Sequence, residues 1–144
     1  MLIKTIKDLI GGRELHTVKS GSIINDIIYF MAEHNIGLVP VLSGDGKLLG
    51  VFSERDLVRR VIAKGLDLKS TIVDDVMSRD LILADVNETY EMCLKKMKDR
   101  GTRHILIIEN DKLIGILAMR DILEIDINVQ KETIEVLHNY IYSK

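Results

Sequence analysis

The feature that most constrains the fold of this chain is an internal repeat. Shifting the sequence by 66 residues aligns Thr5–Asp8 with Thr71–Asp74. After the central turn the shift becomes 65, and Lys47–Gly50 aligns with Lys112–Gly115. The one-residue change falls in a turn, where deletions cost least. The chain is therefore predicted to consist of two copies of one small unit.

Each copy opens with a short amphipathic segment that is followed by a brief strand. The two segments are predicted at Thr5–Ile10 and Thr71–Met77, with Ser70 as the cap of the second. The brief strands are predicted near His16–Val18 and Leu81–Leu83.

A helix then follows in each copy, marked by apolar residues at helical spacing. These residues are Ile23, Ile24, Ile27, Ile28 and Met31 in the first copy, and Tyr90, Cys93, Leu94 and Met97 in the second. Gly37 and Gly101 lie near the predicted ends, as glycines at helix C-termini do. Cys93 shares this apolar face, which predicts a core thiol and not a nucleophile.

Apolar hairpins are the clearest strand signal. The first joins Leu38–Leu42 to Leu48–Phe52, and the second joins Ile105–Ile108 to Leu113–Leu117. Pro40 is predicted near a strand start or on a sheet edge, where a missing N–H is tolerated. Because these strands are apolar on both sides, we expect both faces of each sheet to be covered.

A helix is predicted directly after each hairpin, from about Glu54 to Ala63 and again from about Met119. Each copy thus reads β-α-β-β-α, which is an α+β arrangement. A further helical pattern runs from Asn128 to Tyr142, either packing on another subunit or capping the monomer core. Its predicted packing side consists of Val129, Ile134, Leu137 and Ile141.

Composition excludes several classes of function. The net charge of −2 and the 4% aromatic content give no footprint for nucleic acid. No apolar run is long enough to span a membrane. Charge appears too early in Met1–Asp8 for a signal peptide. A single cysteine cannot form an internal disulfide, so a cytoplasmic protein is expected.

Both strand-to-helix junctions carry an acid in the first helical turn. Ser53 precedes Asp56 in the first copy, and Ala118 precedes Asp121 in the second. A helix N-terminus suits phosphate, and a carboxylate there can accept hydrogen bonds from sugar hydroxyls. The alternative is a capping box, with the serine as cap and the acid three residues later. Ala118 cannot cap, so in the second copy the acid remains without its partner.

The paired junction motif, Gly-apolar-apolar-Ser-x-x-Asp, resembles that of the tandem cystathionine-beta-synthase (CBS) domain pair, also called a Bateman module. Ile36–Val41 is similar to the first-repeat core of that family, and Arg103–Ile107 with Lys112–Ile116 is similar to the second. The resemblance covers about residues 1–125. It suggests CBS repeats at 1–66 and 67–126, followed by a C-terminal helix at 127–144.

The resemblance implies two repeats packed sheet to sheet with pseudo-twofold symmetry, leaving two clefts for adenosine nucleotides such as AMP, ADP or ATP. S-adenosylmethionine is an alternative ligand, and a ligand-free dimerisation scaffold is an alternative function. The family further implies a homodimer and a non-catalytic regulatory role, with nucleotide as a regulatory ligand and no cofactor. Since this sequence shows no attached effector domain, the regulated protein is expected to be another chain. An enzyme is not expected, because CBS pairs occur inside inosine-monophosphate dehydrogenases, whose catalytic barrel needs about 250 residues and does not fit in this sequence.

The resemblance also assigns roles to individual residues. Asp56 and Asp121 would hold ribose hydroxyls, and Ser53 would bond ribose or phosphate. Adenine would lie near Thr17, Val18 and Ile82. The residues expected at phosphate are Arg103 and His104, with Arg55 or Arg120.

Two departures from the family pattern make the predicted clefts unequal. Ala118 lacks the hydroxyl of Ser53, and Gly37-Leu38 stands where the second repeat has Arg103-His104. The basic run Lys95–Arg100 is expected to be a solvated helix face. No spacing of histidines, acids or the cysteine predicts a metal site.

Overall fold

The computed structural model describes residues 5–142, without the side chains of residues 126–130, 132, 133, 136, 140 and 142 in the last helix. The described chain forms two compact units. The first-repeat unit runs from Glu14 to Leu81, and the second-repeat unit combines the chain up to Arg13 with the chain from Ile82 onward. Residues 1–4, Ser143, Lys144 and the side chain of Val129, which enter the predictions above, lie outside the described residues.

The first-repeat unit contains a three-stranded sheet in the order β1-β2-β3. Strand β2 is parallel to β1 and antiparallel to β3. After β3 comes a three-residue α-helix, α3, which continues as a π-helix over Leu57–Ile62. The bounds are β1 Val18–Lys19, α2 Ile24–His34, β2 Leu38–Leu42, β3 Leu48–Ser53 and α3 Glu54–Asp56.

The second-repeat unit repeats this plan, with a sheet in the order β4-β5-β6. The central strand β5 is parallel to β4 and antiparallel to β6. Three consecutive residues of each central strand are buried, Val39 to Val41 in β2 and Ile105 to Ile107 in β5, so both faces of these strands are covered as predicted. The bounds are β4 Leu83–Asp85, α4 Tyr90–Arg100, β5 His104–Glu109, β6 Lys112–Ala118 and α5 Met119–Tyr142.

Each opening segment packs in the unit of the other repeat. Helix α1, Ile6–Ile10, buries Ile6 and Ile10 in the core of the second-repeat unit. The second segment contains a 3₁₀ turn, Val73–Asp75, and buries Val73 in the core of the first-repeat unit. Asp74 of this second segment accepts hydrogen bonds from the Ser20 hydroxyl and from the Gly21 amide, which hold the segment in the first-repeat unit. The compact units therefore differ from the repeats that the alignment defines.

Caps explain where several helices begin and end. Thr5 and Asp8 form a capping box at α1, and Thr89 caps α4. The prediction that Ser70 caps the second segment is wrong, because its hydroxyl donates to Asp67 and the 3₁₀ turn begins after Ile72. Gly101 ends α4 in the left-handed conformation, whereas Asn35, and not Gly37, has this role in α2.

Pro40 is not at a strand start or on an edge strand, so that prediction is wrong. It is the third residue of the central strand β2, opposite Val51. Val51 directs its own N–H and C=O to Ser78, at 2.9 and 2.8 Å, and thus away from Pro40. The nitrogen of Pro40 faces the β1 side of the sheet instead. Strand β1 begins only at Val18, which pairs with Val41, so β1 starts one residue beyond Pro40. The sheet therefore loses no hydrogen bond to the proline.

Three element boundaries differ from the predictions. The brief strands lie about two residues later than expected, at Val18–Lys19 and Leu83–Asp85, because pairing with β2 and β5 sets their register. The pattern from Asn128 onward is not a separate helix but continues α5 from Met119 to Tyr142. None of the helices that the structure describes combines the length and hydropathy needed to cross a bilayer.

Candidate functional site

The first junction, where β3 passes into α3, is a closed capping box. The Asp56 amide donates to the Ser53 hydroxyl oxygen at 3.2 Å, and the Ser53 amide and hydroxyl both donate to Asp56 Oδ2 at 3.0 Å. Arg60, one turn later, places its Nε 3.5 Å from Asp56 Oδ1. Asp56 is the one charged residue among the described residues that is buried. The capping alternative is thus realised in the first repeat.

This capping box gives a direct prediction for stability. Ser53→Ala and Asp56→Ala should each lower the free energy of unfolding by about 1–2 kcal/mol, because the first leaves the Asp56 amide without its acceptor and the second leaves the Ser53 amide without its acceptor. Urea unfolding of both variants and of the double variant measures the coupling. Since the two residues satisfy each other, the double variant should lose less than the sum of the single losses. Strictly additive losses would contradict the reciprocal box.

The second junction, where β6 passes into α5, holds its acid differently. The Ala118 amide donates to Asp121 Oδ2 at 3.0 Å, and Arg13 Nη1 donates to the same oxygen at 2.9 Å. Burial opposes ionisation of Asp121, but these two hydrogen bonds, together with the charges of Arg13 and Arg120, outweigh burial and lower its pKa. Asp121 is therefore a carboxylate at neutral pH, held at the helix start without a capping hydroxyl.

Basic groups of the second repeat gather beside this acid. His104 is the first residue of β5 and pairs with Ala118 across the sheet. The Met119 amide donates to the Arg103 carbonyl at 2.8 Å, which fixes Arg103 next to the start of α5. Arg103 and Arg120 have exposed side chains. The sheet pairing thus brings the four predicted residues Arg103, His104, Arg120 and Asp121 to one end of one sheet.

Proton binding at His104 reflects these neighbours. Burial lowers the pKa of His104, and the positive charges of Arg120 and Arg103 lower it further, against an opposing effect of Asp121. At neutral pH the imidazole is consequently neutral. One nitrogen can then donate a hydrogen bond while the other accepts.

The lowered pKa of His104 predicts how stability changes with pH. The unfolded chain takes up this proton at a higher pH than the folded protein, so stability falls as pH drops below about 6.5. The slope is at most about 1.4 kcal/mol per pH unit for one group. His104→Gln should flatten it in urea unfolding at pH 7.5, 6.5 and 5.5. Equal slopes in the natural protein and in His104→Gln would contradict the assignment of this pH dependence to His104. The loss of stability due to Asp121 is separate, because the lowered pKa of that carboxyl places it at pH values below the ordinary carboxyl range.

The first junction has an acid where the second has cations. Gly37 aligns with Arg103, and the Glu54 amide donates to the Gly37 carbonyl at 3.0 Å. The Glu54 carboxyl carbon lies 3.4 Å from where a Cβ on Gly37 would be, so this acid covers the glycine. Arg55 is exposed beside it. An anion therefore meets a less favourable field at the first junction than at the second.

The residues predicted near adenine lie at or just before the first strand of each sheet. Thr17 directly precedes β1, whose first residue, Val18, pairs with Val41, the fourth of the five residues of β2. Val18 therefore lies three residues along β2 from Leu38, which pairs with Ser53 at the junction. The Leu106 amide donates to the Ile82 carbonyl at 3.0 Å, which places Ile82 likewise at the start of β4. All three side chains are half-buried.

The predicted site residues fall into two groups, one in each unit. Ser53, Arg55, Asp56, Thr17 and Val18 lie in the first-repeat unit, and the other five in the second-repeat unit. Sequence reasoning missed the roles of Arg13 and Glu54. The sequence signal for Arg13 was its alignment with Arg79 in the repeat. The sequence signal for Glu54 was that an acid aligns there with Met119.

Two histidines of the first-repeat unit lie side by side. The rings of His16 and His34 stack with centroids 4.0 Å apart, and Phe30 packs edge-on against both. Within the described residues, no group of three or more His, Cys, Asp or Glu side chains could hold a metal ion. Cys93 is buried as predicted, and burial raises its pKa to about 11, which makes it a poor nucleophile.

Two α+β units of one plan, each with an acid at the strand-to-helix junction, define a protein of paired small repeats. The family model for the CBS domain matches residues 6–63 and again residues 73–128. The chain therefore belongs to the CBS domain family, as its sequence resemblance predicted.

Curated relatives share this family. An uncharacterized protein of Methanopyrus kandleri is 36% identical over 70% of this chain and 52% of its own length. A mitochondrial CBS domain-containing protein of Arabidopsis thaliana is 31% identical over 82% of this chain and 59% of its own. The CBS domain-containing protein YhcV of Bacillus subtilis is 31% identical over 76% of both chains. The chain thus spans little more than half of the first two relatives.

Solved structures show the same fold. An uncharacterized conserved protein from Pyrococcus horikoshii has a TM-score of 0.76 and 35% identity, over 86% of this chain and 93% of its own. A CBS-domain containing protein from Agrobacterium tumefaciens has a TM-score of 0.78 and 30% identity, over 87% and 95%. A CBS domain protein from Pyrobaculum aerophilum, complexed with AMP, has a TM-score of 0.74 and 21% identity, over 82% and 89%, which shows the fold alone.

Proposed function

We propose that this protein is a non-catalytic regulatory module that binds adenosine nucleotides and signals energy or nucleotide state to a partner protein. The observation that carries the proposal is the second junction. There the sheet pairing places Arg103, His104 and Arg120 around the ionised Asp121. Cations beside one carboxylate suit a ligand with both a phosphate and a sugar diol.

Each group has a distinct part in this proposal. The guanidinium of Arg103 binds phosphate with two N–H groups, and Arg120 and His104 add charge and a donor. Asp121 accepts from ribose hydroxyls. At the first junction Asp56 and Ser53 take the ribose role with Arg55 nearby. Adenine contacts come from Thr17 and Val18 in the first-repeat unit and from Ile82 in the second-repeat unit, each within its own unit.

Charge makes the second junction the stronger phosphate site. Glu54 stands over Gly37 at the first junction, where the second has Arg103. The positive charges of the second junction also favour one class of ligand over the other. S-adenosylmethionine carries a sulfonium cation in place of phosphate, and the two arginines repel a cation. We therefore favour AMP, ADP or ATP over S-adenosylmethionine.

Calorimetric titration with AMP, ADP, ATP and S-adenosylmethionine tests the proposal. AMP is the first probe, since a CBS domain protein of the same fold was solved with it. We expect heat from at least one nucleotide and a raised melting temperature, because a ligand at 100 times its Kd stabilises by about 2.7 kcal/mol. An unchanged melting temperature at millimolar concentrations of all four would favour the alternative, a ligand-free dimerisation scaffold.

We also propose that the protein is a homodimer formed through its repeats. Tyr29, Val58 and Ile62 of the first-repeat unit are more than half exposed. Val58 and Ile62 lie one turn apart in the π-helix Leu57–Ile62, and Leu66, beyond the end of that helix, is also exposed. Light scattering of the purified protein in solution should give a mass twice the 16.3 kDa of one chain. A monomer at micromolar concentration would contradict this part of the proposal.

The regulated partner in this proposal is a protein other than this chain. A relative named arabinose 5-phosphate isomerase, from Yersinia pestis, is 29% identical over 85% of this chain but only 37% of its own length. The matching region is thus a minor part of that enzyme. Regulation requires that the nucleotide bind two states of the module with different affinity, and the partner's response cannot exceed that difference.

A further inference from the structure

Asp121 is paired with an arginine that the junction motif does not contain. Arg13 lies 108 positions earlier in the sequence, and its Nη1 donates to Asp121 Oδ2 at 2.9 Å. The Ala118 amide donates to the same oxygen. The carboxyl group of Asp121 is mostly buried, whereas the side chain of Arg13 is 48% exposed.

The first junction shows that this pairing is not a fixed property of the motif. There the cation beside the acid is Arg60, which comes from the same helical segment. The residue that aligns with Arg60 in the second repeat is Ile125, which is buried. The residue that aligns with Arg13 is Arg79, and it donates to the Asp74 carbonyl at 3.1 Å. Of the two junctions, the second thus takes its cation from the chain that precedes Glu14, and the first takes it from its own helix.

A guanidinium and a sugar diol compete for the same acceptor. A carboxylate binds two vicinal hydroxyls in a bidentate manner when each of its two oxygens accepts a hydrogen bond from one hydroxyl. Two donors already end on Oδ2 of Asp121, one from the backbone and one from Arg13. The backbone amide is fixed by the fold, but the half-exposed Arg13 side chain can turn into solvent. A diol that takes both oxygens must therefore displace Arg13.

We propose that Arg13 is a specificity-determining residue of the second junction, which competes with ligand hydroxyls for Asp121 and so weakens recognition of the sugar diol. This inference rests on the proposed nucleotide function and names a regulation of the same site. Arg13 follows the end of α1 by three residues and is the last residue of the N-terminal chain segment that belongs to the second-repeat unit. Displacing it releases the end of that segment, which links occupancy of the site to the docking of α1.

The test compares AMP with 2′,3′-dideoxy-AMP, which keeps the phosphate and lacks the diol. The dissociation constant of 2′,3′-dideoxy-AMP divided by that of AMP measures how strongly the site recognises the diol. Because both nucleotides carry the phosphate, this ratio cancels the effect that losing the Arg13 charge has on phosphate binding. In Arg13→Gln we expect this ratio to rise about threefold over the natural protein, the scale of a half-exposed charged hydrogen bond. Arg79→Gln, the matched control from the other repeat, should leave the ratio unchanged.

The outcomes are distinguishable. If the natural protein and Arg13→Gln bind no AMP, the proposed function fails and this inference with it. If the natural protein binds AMP but the ratio is unchanged or lower in Arg13→Gln, only the inference fails. A lower AMP affinity with an unchanged ratio would make Arg13 a phosphate ligand and also overturn it.

A second measurement uses the natural sequence and so does not depend on the folding of a variant. The Arg13 amide donates to the Ile10 carbonyl at 3.3 Å. Saturating AMP should speed hydrogen exchange at Gly12 and Arg13, because the side chain that anchors them is displaced, whereas 2′,3′-dideoxy-AMP at the same occupancy should not. Equal exchange with both nucleotides would overturn the proposal.

Discussion

Replacing Arg103 with alanine should weaken AMP binding about tenfold or more, because a charged hydrogen bond to phosphate contributes about 1.5–3 kcal/mol. The melting temperature should hardly change. The Arg103 side chain is exposed, and its structural contribution is the backbone carbonyl that accepts from the Met119 amide. Alanine keeps that carbonyl. Calorimetry gives the affinity, and thermal unfolding gives the stability.

Adenosine provides the control for this prediction, since it has the base and the sugar but no phosphate. Arg103→Ala should change adenosine affinity much less than AMP affinity. An equal loss for both would mean that Arg103 shapes the site in general. An unchanged AMP affinity would remove Arg103 from the site and with it the main support for the second junction as the phosphate site.

Replacing Gly50 with alanine should destabilise the protein by about 2–3 kcal/mol, the upper part of the range for overpacking. An added Cβ would lie 2.7 Å from the Ser78 carbonyl oxygen and 2.8 Å from the Met77 sulfur. The backbone of Ser78 cannot move away easily, because its N–H and C=O are both bonded to Val51. Urea unfolding measures the loss.

Two other glycines calibrate this effect. A Cβ on Gly44 would meet nothing within 4 Å, so Gly44→Ala should be close to neutral. A Cβ on Gly115, the repeat partner of Gly50, would lie 3.0 Å from the Ile10 side chain, which can shift more readily than backbone. Gly115→Ala should therefore cost less than Gly50→Ala. The reverse order would contradict the assigned contacts.

Local patterns in the sequence predicted much of the fold. The hairpins and the helices α2 and α4 follow from the spacing of apolar residues, which depends on neighbours a few positions away. Of the predicted buried face of α2, Ile24, Ile27 and Met31 are indeed buried, and Ile28 is half-buried. Ile23 is not, because it precedes the helix and pairs with Ile72.

What could not be predicted depends on pairing between distant parts of the chain. Strand β1 is two residues long, and its position is set by β2, more than 20 positions later. The exchange of opening segments and the contact of Arg13 with Asp121 leave no local pattern. At the first junction the sequence allowed capping or ribose binding, and the structure shows capping; the ribose role of Asp56 stays a proposal.

The exchange of opening segments has a consequence for how such a chain could arise. A single ancestral repeat of this plan would lack the piece that completes its core, since each unit draws that piece from the other copy. Two identical ancestral chains could supply the piece to each other. Gene fusion would then turn an exchange between molecules into one within a molecule, and neither half could afterwards be lost without unfolding its neighbour.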